Sequence, residues 1–302
     1  MSSIAYLGPQ GTFAEQAALA YGGGHELVPV PTVPAALRAV RAGEAGLACV
    51  PVENSVEGAV GPTMDGLAVG DPLLAVAEIV LPVGFSVLVR PGTAAADVRT
   101  VASHPHALAQ VQGWLEKHLP NARPLAATST AAAAVGVRDG DFDAAVTAPV
   151  AASHYPLHEL ATGVADVADA VTRFFVLSLP GRIPEPTGAD RTSVVMVAQA
   201  DRTGVLAELL TELAVRGINL SRIESRPIKG RLGEYRFYLD MDGHVAEPRV
   251  GDALAALHRR CRELRFLGSY PKADGVPSSV AEGNAPADYA AAADWLNRLR
   301  HR

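Results

Sequence analysis

Short apolar runs and helical patterns of apolar residues alternate along residues 1–180. An apolar run between turn residues is typical of a buried strand, and apolar residues spaced by three or four are typical of an amphipathic helix. The predicted strands are Ile4–Leu7, Leu47–Val52, two within Leu73–Val89, Val101–Ala102, Ala144–Thr147 and Val171–Leu177. The predicted helices run from a cap at Thr12 to Tyr21, over Pro105–His118, and from a cap at Ser129 or Thr130 to Arg138. This alternation predicts an α/β sheet with crossover connections.

The stretch Pro180–Gly188 contains three prolines and two glycines, which predicts an interdomain linker. The pattern beyond it predicts strands over Thr192–Gln199, Ile218–Ile228, Glu234–Met241 and Leu264–Tyr270, and helices over Gly204–Arg216 and Val250–Arg262. The resulting order βαββαβ is that of a ferredoxin-like unit. We therefore expect a first domain over residues 1–180, a linker over 181–190, a second domain over 191–271 and a polar tail over 272–302. The tail is expected to be a solvated extension, with Tyr289–Arg298 as its one segment of helical pattern.

The composition is that of an ordinary globular protein. At 302 residues the chain is long for one hydrophobic core, so two domains are expected. Hydrophobic residues make up 49% and charged residues 19% of the chain. The formal charge of −6 argues against a nucleic-acid-binding protein, which would need a clustered basic face. An anionic small molecule remains compatible with an acidic protein, because a local pocket can be positive.

The cysteines and the apolar segments predict a cytoplasmic protein. Cys49 and Cys261 lie far apart without a neighbouring cysteine, which favours two buried thiols over one long-range disulfide. The first residues lack a basic region followed by a long apolar core, so no signal peptide is expected. The apolar stretch Leu73–Val89 is interrupted by Glu78 and Pro82, and it is too short and too broken to cross a bilayer.

Polar residues follow the first two predicted strands, where open α/β sheets bind their ligands. Gly8–Gly11 predicts a tight turn before the helix capped by Thr12, and the N–H groups of such a turn can hold a carboxylate. Glu53, Asn54 and Ser55 bring an acceptor, an amide and a hydroxyl together after the next strand. A turn that satisfies its own backbone has the same composition, so the segment alone leaves both interpretations open.

Further polar groups precede the next two predicted helices. Ser103 and His104 stand ahead of one helix, which carries Gln110 in its second turn. Ser129 and Thr130 stand ahead of the alanine-rich helix. Hydroxyl, imidazole and amide groups at these positions are hydrogen-bonding candidates for a polar ligand.

Thr172 and Arg173 form a polar pair at the start of an apolar, β-prone run. A hydroxyl donor beside a fixed positive charge suits an anionic substrate with a leaving oxygen. Most such pairs are solvated strand ends, so the pair alone is weak evidence for a site. The polar motifs described above support a functional role for it. By contrast, His154 and His158 do not predict a metal site, because Pro156 between them argues against a regular helix that would align the rings. We expect no metal.

Taken in this order, the segments resemble prephenate dehydratase with a regulatory ACT domain behind the catalytic one. The segments that carry the resemblance are Gly8–Phe13, Val50–Gly58, Ser103–Gln110, Ser129–Thr130, Thr172–Phe174, Gly204–Ala207 and Asn219–Pro227. The resemblance implies a two-lobed α/β catalytic domain similar to the periplasmic binding proteins, followed by a ferredoxin-like ACT domain.

The reaction implied by the resemblance is the loss of water and carbon dioxide from prephenate, giving phenylpyruvate on the route to L-phenylalanine, without a cofactor. Thr172 and Glu53 are the catalytic candidates for assisting the departing hydroxyl, and the sequence does not choose between them. Arg173, helped by the N–H groups near Gly11 and Thr12, is the candidate clamp for the side-chain carboxylate. The full set of implied substrate contacts is Arg173, Thr12, Asn54, Ser55, Ser103, His104, Gln110, Ser129, Thr130 and Phe174.

The resemblance also implies that L-phenylalanine binds the second domain as an effector at a subunit interface. The implied contacts are Gly204, Val205, Leu206, Asn219, Leu220, Ser221, Glu224, Ser225, Arg226 and Pro227. A homodimer or homotetramer is then expected, with no nucleic-acid or membrane partner.

The chain departs from the family pattern at several positions. Ala131–Ala134 supply no carboxylate where the family usually has one, and Ala170 stands where the family often has asparagine. His106 falls at a variable position and inherits no role. Two alternatives stay open: arogenate dehydratase, with the same chemistry on the aminated substrate, and a non-catalytic amino-acid sensor.

Overall fold

The computed structural model describes residues 3–301, apart from the side chain of Leu232. The chain forms two compact units. One contains the residues up to Thr63 together with Ile79–Leu177, and the other contains Met64–Glu78 together with the residues from Ser178 onward. Within the described range, no helix combines the length and the apolar character needed to span a membrane.

The first unit has two lobes, each built on its own sheet. The strands of the first lobe are β1 (Ser3–Leu7), β2 (Glu26–Val30), β3 (Leu47–Asn54), β4 (Gly58–Ala59), β11 (Val171–Ser178) and the last residues of β5 (Leu74–Pro82), and its helices are α1 (Phe13–Tyr21) and α2 (Val33–Arg41). Most of α3 (Gly61–Ala68) and the start of β5 belong to the second unit. The strand order in the sheet is β2-β1-β3-β11-β5, with β4 paired to β3. Strands β1, β2 and β3 are parallel, whereas β11 runs antiparallel to β3.

The second lobe is a smaller sheet flanked by short helices. Its strands are β6 (Ser86–Val89), β7 (Thr100–Ser103), β8 (Arg123–Ala126), β9 (Ala144–Thr147) and β10 (His158–Thr162), and its helices are α4 (Pro105–Ala109), α5 (Gln112–His118) and α6 (Thr130–Asp139). The strand order is β10-β6-β9-β7-β8. The chain passes from the first lobe to the second after β5 and returns before β11. The two connecting segments are hydrogen-bonded to each other, because the Val83 N–H donates to the Ala170 carbonyl at 2.7 Å. This confirms the predicted α/β class and the two-lobed arrangement.

The predicted helix Pro105–His118 is wrong as one element, because two helices, α4 and α5, replace it. The Asp166 carboxylate accepts hydrogen bonds from the N–H groups of Gly113 and Trp114, both at 2.9 Å. These bonds cap a new helix start, and the cap comes from a residue far along the chain. Strand β3 also extends past its predicted end and includes Glu53 and Asn54.

The second unit contains the predicted ferredoxin-like fold. Its elements in chain order are β12 (Asp190–Ala198), α7 (Val205–Ala214), β13 (Leu220–Ile228), β14 (Arg231–Asp242), α8 (Pro248–Arg260) and β15 (Cys261–Pro271). The antiparallel sheet has the order β13-β14-β12-β15. Gly217 follows α7 with a φ of +60°, in the left-handed region that glycine adopts without strain. The segment of helical pattern in the tail forms a helix, α9 (Pro286–Arg300), which is longer than the expected Tyr289–Arg298 and largely exposed.

A buried ion pair joins the segment Met64–Glu78 to the sheet of this unit. The Arg191 guanidinium donates to both oxygens of Glu78, at 2.9 and 2.7 Å, and the Ala273 N–H donates to the same carboxylate at 2.9 Å. The Glu78 side chain is 2% exposed. A buried carboxylate without its cation is costly, so this pair fixes the start of β5 within the second unit.

Replacing Arg191 by leucine should therefore destabilise the second unit. We expect Arg191→Leu to lower its free energy of unfolding in urea by about 3–5 kcal/mol, because Glu78 would be left buried and unpaired. The matched control is Arg182→Leu, since Arg182 and Glu185 form an ion pair at 84% and 74% exposure. Arg182→Leu should lower the free energy of unfolding by only about 0–1 kcal/mol. Equal losses in the two variants would contradict this account.

Candidate functional site

A cavity of about 580 Å³ opens between the two lobes of the first unit. Both lobes contribute to its wall, and so do Val83 and Phe85 of the crossing between them. Eight residues singled out from the sequence line it: Thr12, Asn54, His104, Gln110, Ser129, Thr130, Thr172 and Phe174. Residues from five separate segments of the chain are therefore brought together around one space.

A bulge in β3 determines which residues of this strand face the cavity. Thr172 of β11 lies opposite Asn54, and Phe174 lies opposite Pro51, with a register shift between the two pairs. Val52 is the extra residue on β3. Side chains alternate along a regular strand, so without this bulge Pro51 and Asn54 would lie on opposite faces. With it, both line the cavity.

The same register places Glu53 and Arg173 opposite each other on the other face of the sheet. The Arg173 guanidinium carbon lies 4.9 Å from the centre of the Phe175 ring, two residues along the same strand. Neither Glu53 nor Arg173 is among the described residues that line the cavity. The sequence-based candidates for proton source and carboxylate clamp therefore lie outside the cavity wall, because strand alternation turns them away from it.

A hydrogen bond between Asn54 and Thr172 fixes the polar part of the wall. The Asn54 carbonyl oxygen accepts from the N–H groups of Val56 and Glu57, at 2.8 and 3.0 Å. This orients the amide, so its nitrogen donates to the Thr172 hydroxyl oxygen at 2.8 Å. The Thr172 hydroxyl thus receives one bond and keeps its own proton for a further acceptor. A threonine arranged in this way is a hydrogen-bond donor toward the cavity.

The glycine turn before α1 is held by groups of its own lobe. The Thr12 hydroxyl donates to the Leu7 carbonyl at 2.9 Å and accepts from the Glu15 N–H at 3.3 Å, so it acts as a helix cap. The Gly11 N–H donates to the Glu15 carboxylate at 2.5 Å. The expectation that the Gly11 N–H holds a substrate carboxylate is therefore wrong, because this donor already has an acceptor.

Helix N-termini from both lobes border the cavity. Phe13 and Ala14 begin α1 and line the wall, as do Ser129 and Thr130 at the start of α6. The Ser129 hydroxyl accepts from the Ala132 N–H at 2.9 Å and caps α6. The first N–H groups of a helix lack partners within it, and together with the helix dipole they favour an anion. The N-termini of α1 and α6 can therefore stabilise an anion bound in the cavity from two sides.

Two predicted contacts have structural roles instead. The Ser103 hydroxyl is fully buried and donates to the Val146 carbonyl at 2.6 Å, which ties β7 to β9. The Ser55 hydroxyl accepts from the Val171 N–H at 3.0 Å. Neither is among the described residues that line the cavity. The Ser103 hydroxyl donates its proton within the fold, whereas the Ser55 hydroxyl is outside the cavity wall by its position.

Glu57 and His106 line the cavity, although sequence analysis gave them no role. The His106 Nδ1 lies 3.6 Å from a Glu57 carboxylate oxygen, and the pair joins the two lobes. Nearby, the His104 Nδ1 accepts from the His106 N–H at 3.3 Å. Burial lowers the pKa of His104, the neighbouring His106 lowers it further, and the Glu57 charge opposes the shift. His104 is therefore neutral at pH 7, with its proton on Nε2.

The charged groups of the wall are few. Of the cavity-lining residues in the described part of the chain, none is Arg or Lys. Residues 3–301 contain no group of three or more His, Cys, Asp or Glu side chains placed to hold a metal ion. An anion in this cavity would therefore rely on helix N-termini, hydroxyls, amides and the histidines rather than on a guanidinium at its wall.

The predicted effector residues lie at the start of α7 and along the edge strand β13. Gly204 precedes α7 with a φ of +81°, and Leu206 and Leu220 pack against the hydrophobic core of the second unit. The Asn219 amide donates to Asp242 at 2.9 Å, and the Ser221 hydroxyl donates to the Asp240 carbonyl at 3.1 Å. An edge strand leaves backbone groups available on one side, which suits pairing with another chain.

Both parts of the chain match known protein families. Residues 4–181 match the prephenate dehydratase family, and residues 192–259 match the ACT domain. A prephenate dehydratase of Amycolatopsis methanolica is 63% identical over 298 residues, which cover 98% of this chain and 97% of that protein. The solved prephenate dehydratase of Arthrobacter aurescens, in complex with L-Phe, is 45% identical with a TM-score of 0.95 and covers 99% of this chain and 100% of that one.

A further solved structure shows that this fold carries another activity. A protein described as a novel type of quorum quenching acylase is 30% identical, with a TM-score of 0.79, and the match covers 89% of this chain and 97% of that chain. Fold alone therefore does not determine the reaction, and the arrangement of the cavity residues has to be considered with it.

Proposed function

The chain belongs to the prephenate dehydratase family, and we propose that the cavity described above is where it converts prephenate to phenylpyruvate. The protein is a carbon–oxygen lyase. The observation that carries the assignment of the site is the Thr172 hydroxyl, which accepts from Asn54 and keeps a proton to donate into the cavity.

The reaction requires two bonds to break. The bond to the ring carboxylate breaks, carbon dioxide leaves, and the electron pair enters the ring. The bond to the ring hydroxyl breaks, and its pair leaves with the oxygen, which takes one proton to become water. Aromatisation of the ring drives both changes, so the protein has to hold the dianion and ease departure of the hydroxyl.

Thr172 is the residue that assists the departing hydroxyl. Its hydroxyl is a poor acid, so it stabilises the developing charge by a hydrogen bond while solvent supplies the net proton. Glu53 was the alternative proton source, and its place on the other face of the sheet favours Thr172. Phe174, next to Thr172 on the cavity face, supplies an apolar surface for the ring.

The substrate carboxylates are held without a guanidinium in the cavity wall. The N–H groups that begin α1 and α6 form the positive ends of two helices. The Thr130 hydroxyl and the Gln110 amide add donors from the second lobe. A ring carboxylate beside the apolar Val83 and Phe85 would lose its charge readily as carbon dioxide leaves.

Removing the Thr172 hydroxyl should slow turnover without weakening binding. We expect Thr172→Ala to lower kcat on prephenate by roughly 10²–10⁴, with KM little changed, because the contact strengthens as the hydroxyl leaves. Thr172→Ser should retain most of the activity. The measurement is phenylpyruvate formation followed by its ultraviolet absorbance in alkali.

The control for this prediction is Thr162→Ala, which removes an exposed threonine hydroxyl outside the cavity wall. The control should turn over as fast as the unchanged protein. Wild-type kcat in Thr172→Ala would remove Thr172 from the mechanism, and absence of any turnover by the unchanged protein would contradict the proposed function.

The second unit is the regulatory part of the protein. The Arthrobacter aurescens relative was solved in complex with L-Phe, and we extend this ligand to the start of α7 and to β13 of the present chain. Binding at an edge strand is consistent with a site completed by a second subunit, so a homodimer or a homotetramer is proposed. We propose residues 1–180 as the catalytic domain, 181–190 as linker, 191–271 as the ACT domain and 272–302 as tail. The cytoplasmic location stays a prediction.

L-Phenylalanine should lower the activity on prephenate. We expect kcat/KM to fall by about 5–150-fold at saturating L-phenylalanine, the usual range of coupling between two sites. D-Phenylalanine is the matched control, because it has the same size and charge, and it should have little effect. Light scattering with and without the ligand gives the oligomeric state. An unchanged kcat/KM in millimolar L-phenylalanine would contradict allosteric control.

A further inference from the structure

Helix α9 of the tail belongs to the second unit and has no buried face. All fifteen of its residues are within the described range, and none of them is buried. Helix α8, which it contacts, instead places Val250, Ala253 and Leu257 in the hydrophobic core. A helix as short as α9 is marginal on its own in water, because most helical stability in proteins comes from packing of an apolar face. A partner is therefore expected for the open face of α9.

The large apolar residues of α9 that are most exposed lie on one side of the helix. Trp295 and Leu299 are 57% and 47% exposed. Together with Asp288 and Ala292 they recur at spacings of four, three and four residues, which is the repeat with which one helix packs along another. We call these four residues the α9 stripe. The polar Asn297 lies on the opposite side. Exposed tryptophan and leucine on one stripe indicate a contact surface.

The α9 stripe is complementary to a second copy of itself in the antiparallel direction. The register that sets Trp295 opposite Ala292 of the other helix also sets Leu299 opposite Asp288 of that helix. A large side chain then meets a small one at both central positions. Asp288 approaches Arg298 of the other helix, so opposite charges meet at both ends. A parallel pair would instead bring Asp288 against Asp288 and Trp295 against Trp295.

We propose that α9 is an interface between copies of this chain, in which the α9 stripe of one copy packs antiparallel on that of another. The interface is isologous, because the same residues contribute from both sides. It is separate from the edge strand β13, and it does not depend on the reaction assigned to the first unit. A helix of fifteen residues is only about 22 Å long, so we expect the association to reverse on dilution.

The experiment follows the sedimentation mass and the Trp295 emission of the full chain over a dilution series. Trp114→Phe serves as the background, because Trp114 and Trp295 are the two tryptophans of the chain. A tryptophan covered by a second copy emits at shorter wavelength than an exposed one, so the emission should move to longer wavelength as the mass falls. Leu299→Glu should raise the concentration of half-dissociation by roughly tenfold or more.

The matched control is Asn297→Glu, which adds the same carboxylate to the opposite side of α9. Its dissociation curve should equal that of the background protein. Circular dichroism of each variant verifies that the fold is retained.

A charge exchange tests the antiparallel register. Asp288→Arg and Arg298→Asp should each raise the dissociation constant by roughly tenfold, because like charges then meet at both ends of the pair. The double variant should recover most of the affinity. Asp288 also accepts from the Ala285 N–H at 2.9 Å and so stabilises the start of α9. A loss of helix alone would not be recovered by the second change, which removes a favourable arginine from the last turn.

Three results would overturn the proposal. Trp295 emission at long wavelength at every concentration would show that nothing covers the α9 stripe. Emission at short wavelength in a protein that sediments as one chain would show that the stripe is covered within its own chain. An assembly whose dissociation is unaffected by Leu299→Glu would show that its copies associate through other surfaces.

Discussion

The hydrogen bond from the Asn54 amide to the Thr172 hydroxyl oxygen joins β3 to β11 where both strands reach the cavity. Its direction is fixed from the other end, because the Asn54 carbonyl oxygen already accepts two backbone N–H groups of the following turn. A hydroxyl that must accept this bond has its proton left to donate. The bulge at Val52 makes the arrangement possible, since it turns Asn54 to the cavity face.

The rest of the cavity follows a consistent electrostatic arrangement. The starts of α1 and α6 approach it from opposite lobes, and its wall carries neutral donors and a neutral His104. In the proposed reaction the positive helix ends would hold the dianion, and as partial charges they would leave carbon dioxide free to depart. Of the described residues that line the cavity, Glu57 is the one carboxylate, and it lies 3.6 Å from His106.

The sequence was sufficient for features determined locally. Thr12 caps α1 as expected, and Ser129, one of the two expected candidates, caps α6, because an N-cap depends on residues within one turn. The βαββαβ order also followed from periodicity. The family resemblance identified the segments of the cavity and eight of the side chains that line it, but it also included Glu53, Arg173, Ser55 and Ser103, which do not. A regular alternation puts Glu53 on the same face as Pro51, and the bulge that reverses this has no local signal in the sequence. The break between α4 and α5 depends on Asp166, which is too distant in sequence to be recognised.

The most direct test of the account is a double-mutant cycle on kcat that combines Asn54→Asp with Thr172→Ala. The substituted carboxylate can still accept the two N–H groups of the turn, but it cannot donate to Thr172 and would take the threonine proton instead. Asn54→Asp alone should lower kcat by roughly 10² or more, and in the Thr172→Ala background it should cause little further loss, because both changes remove the same donor. Losses that multiply independently would show that Asn54 does not act through Thr172 and would contradict the account.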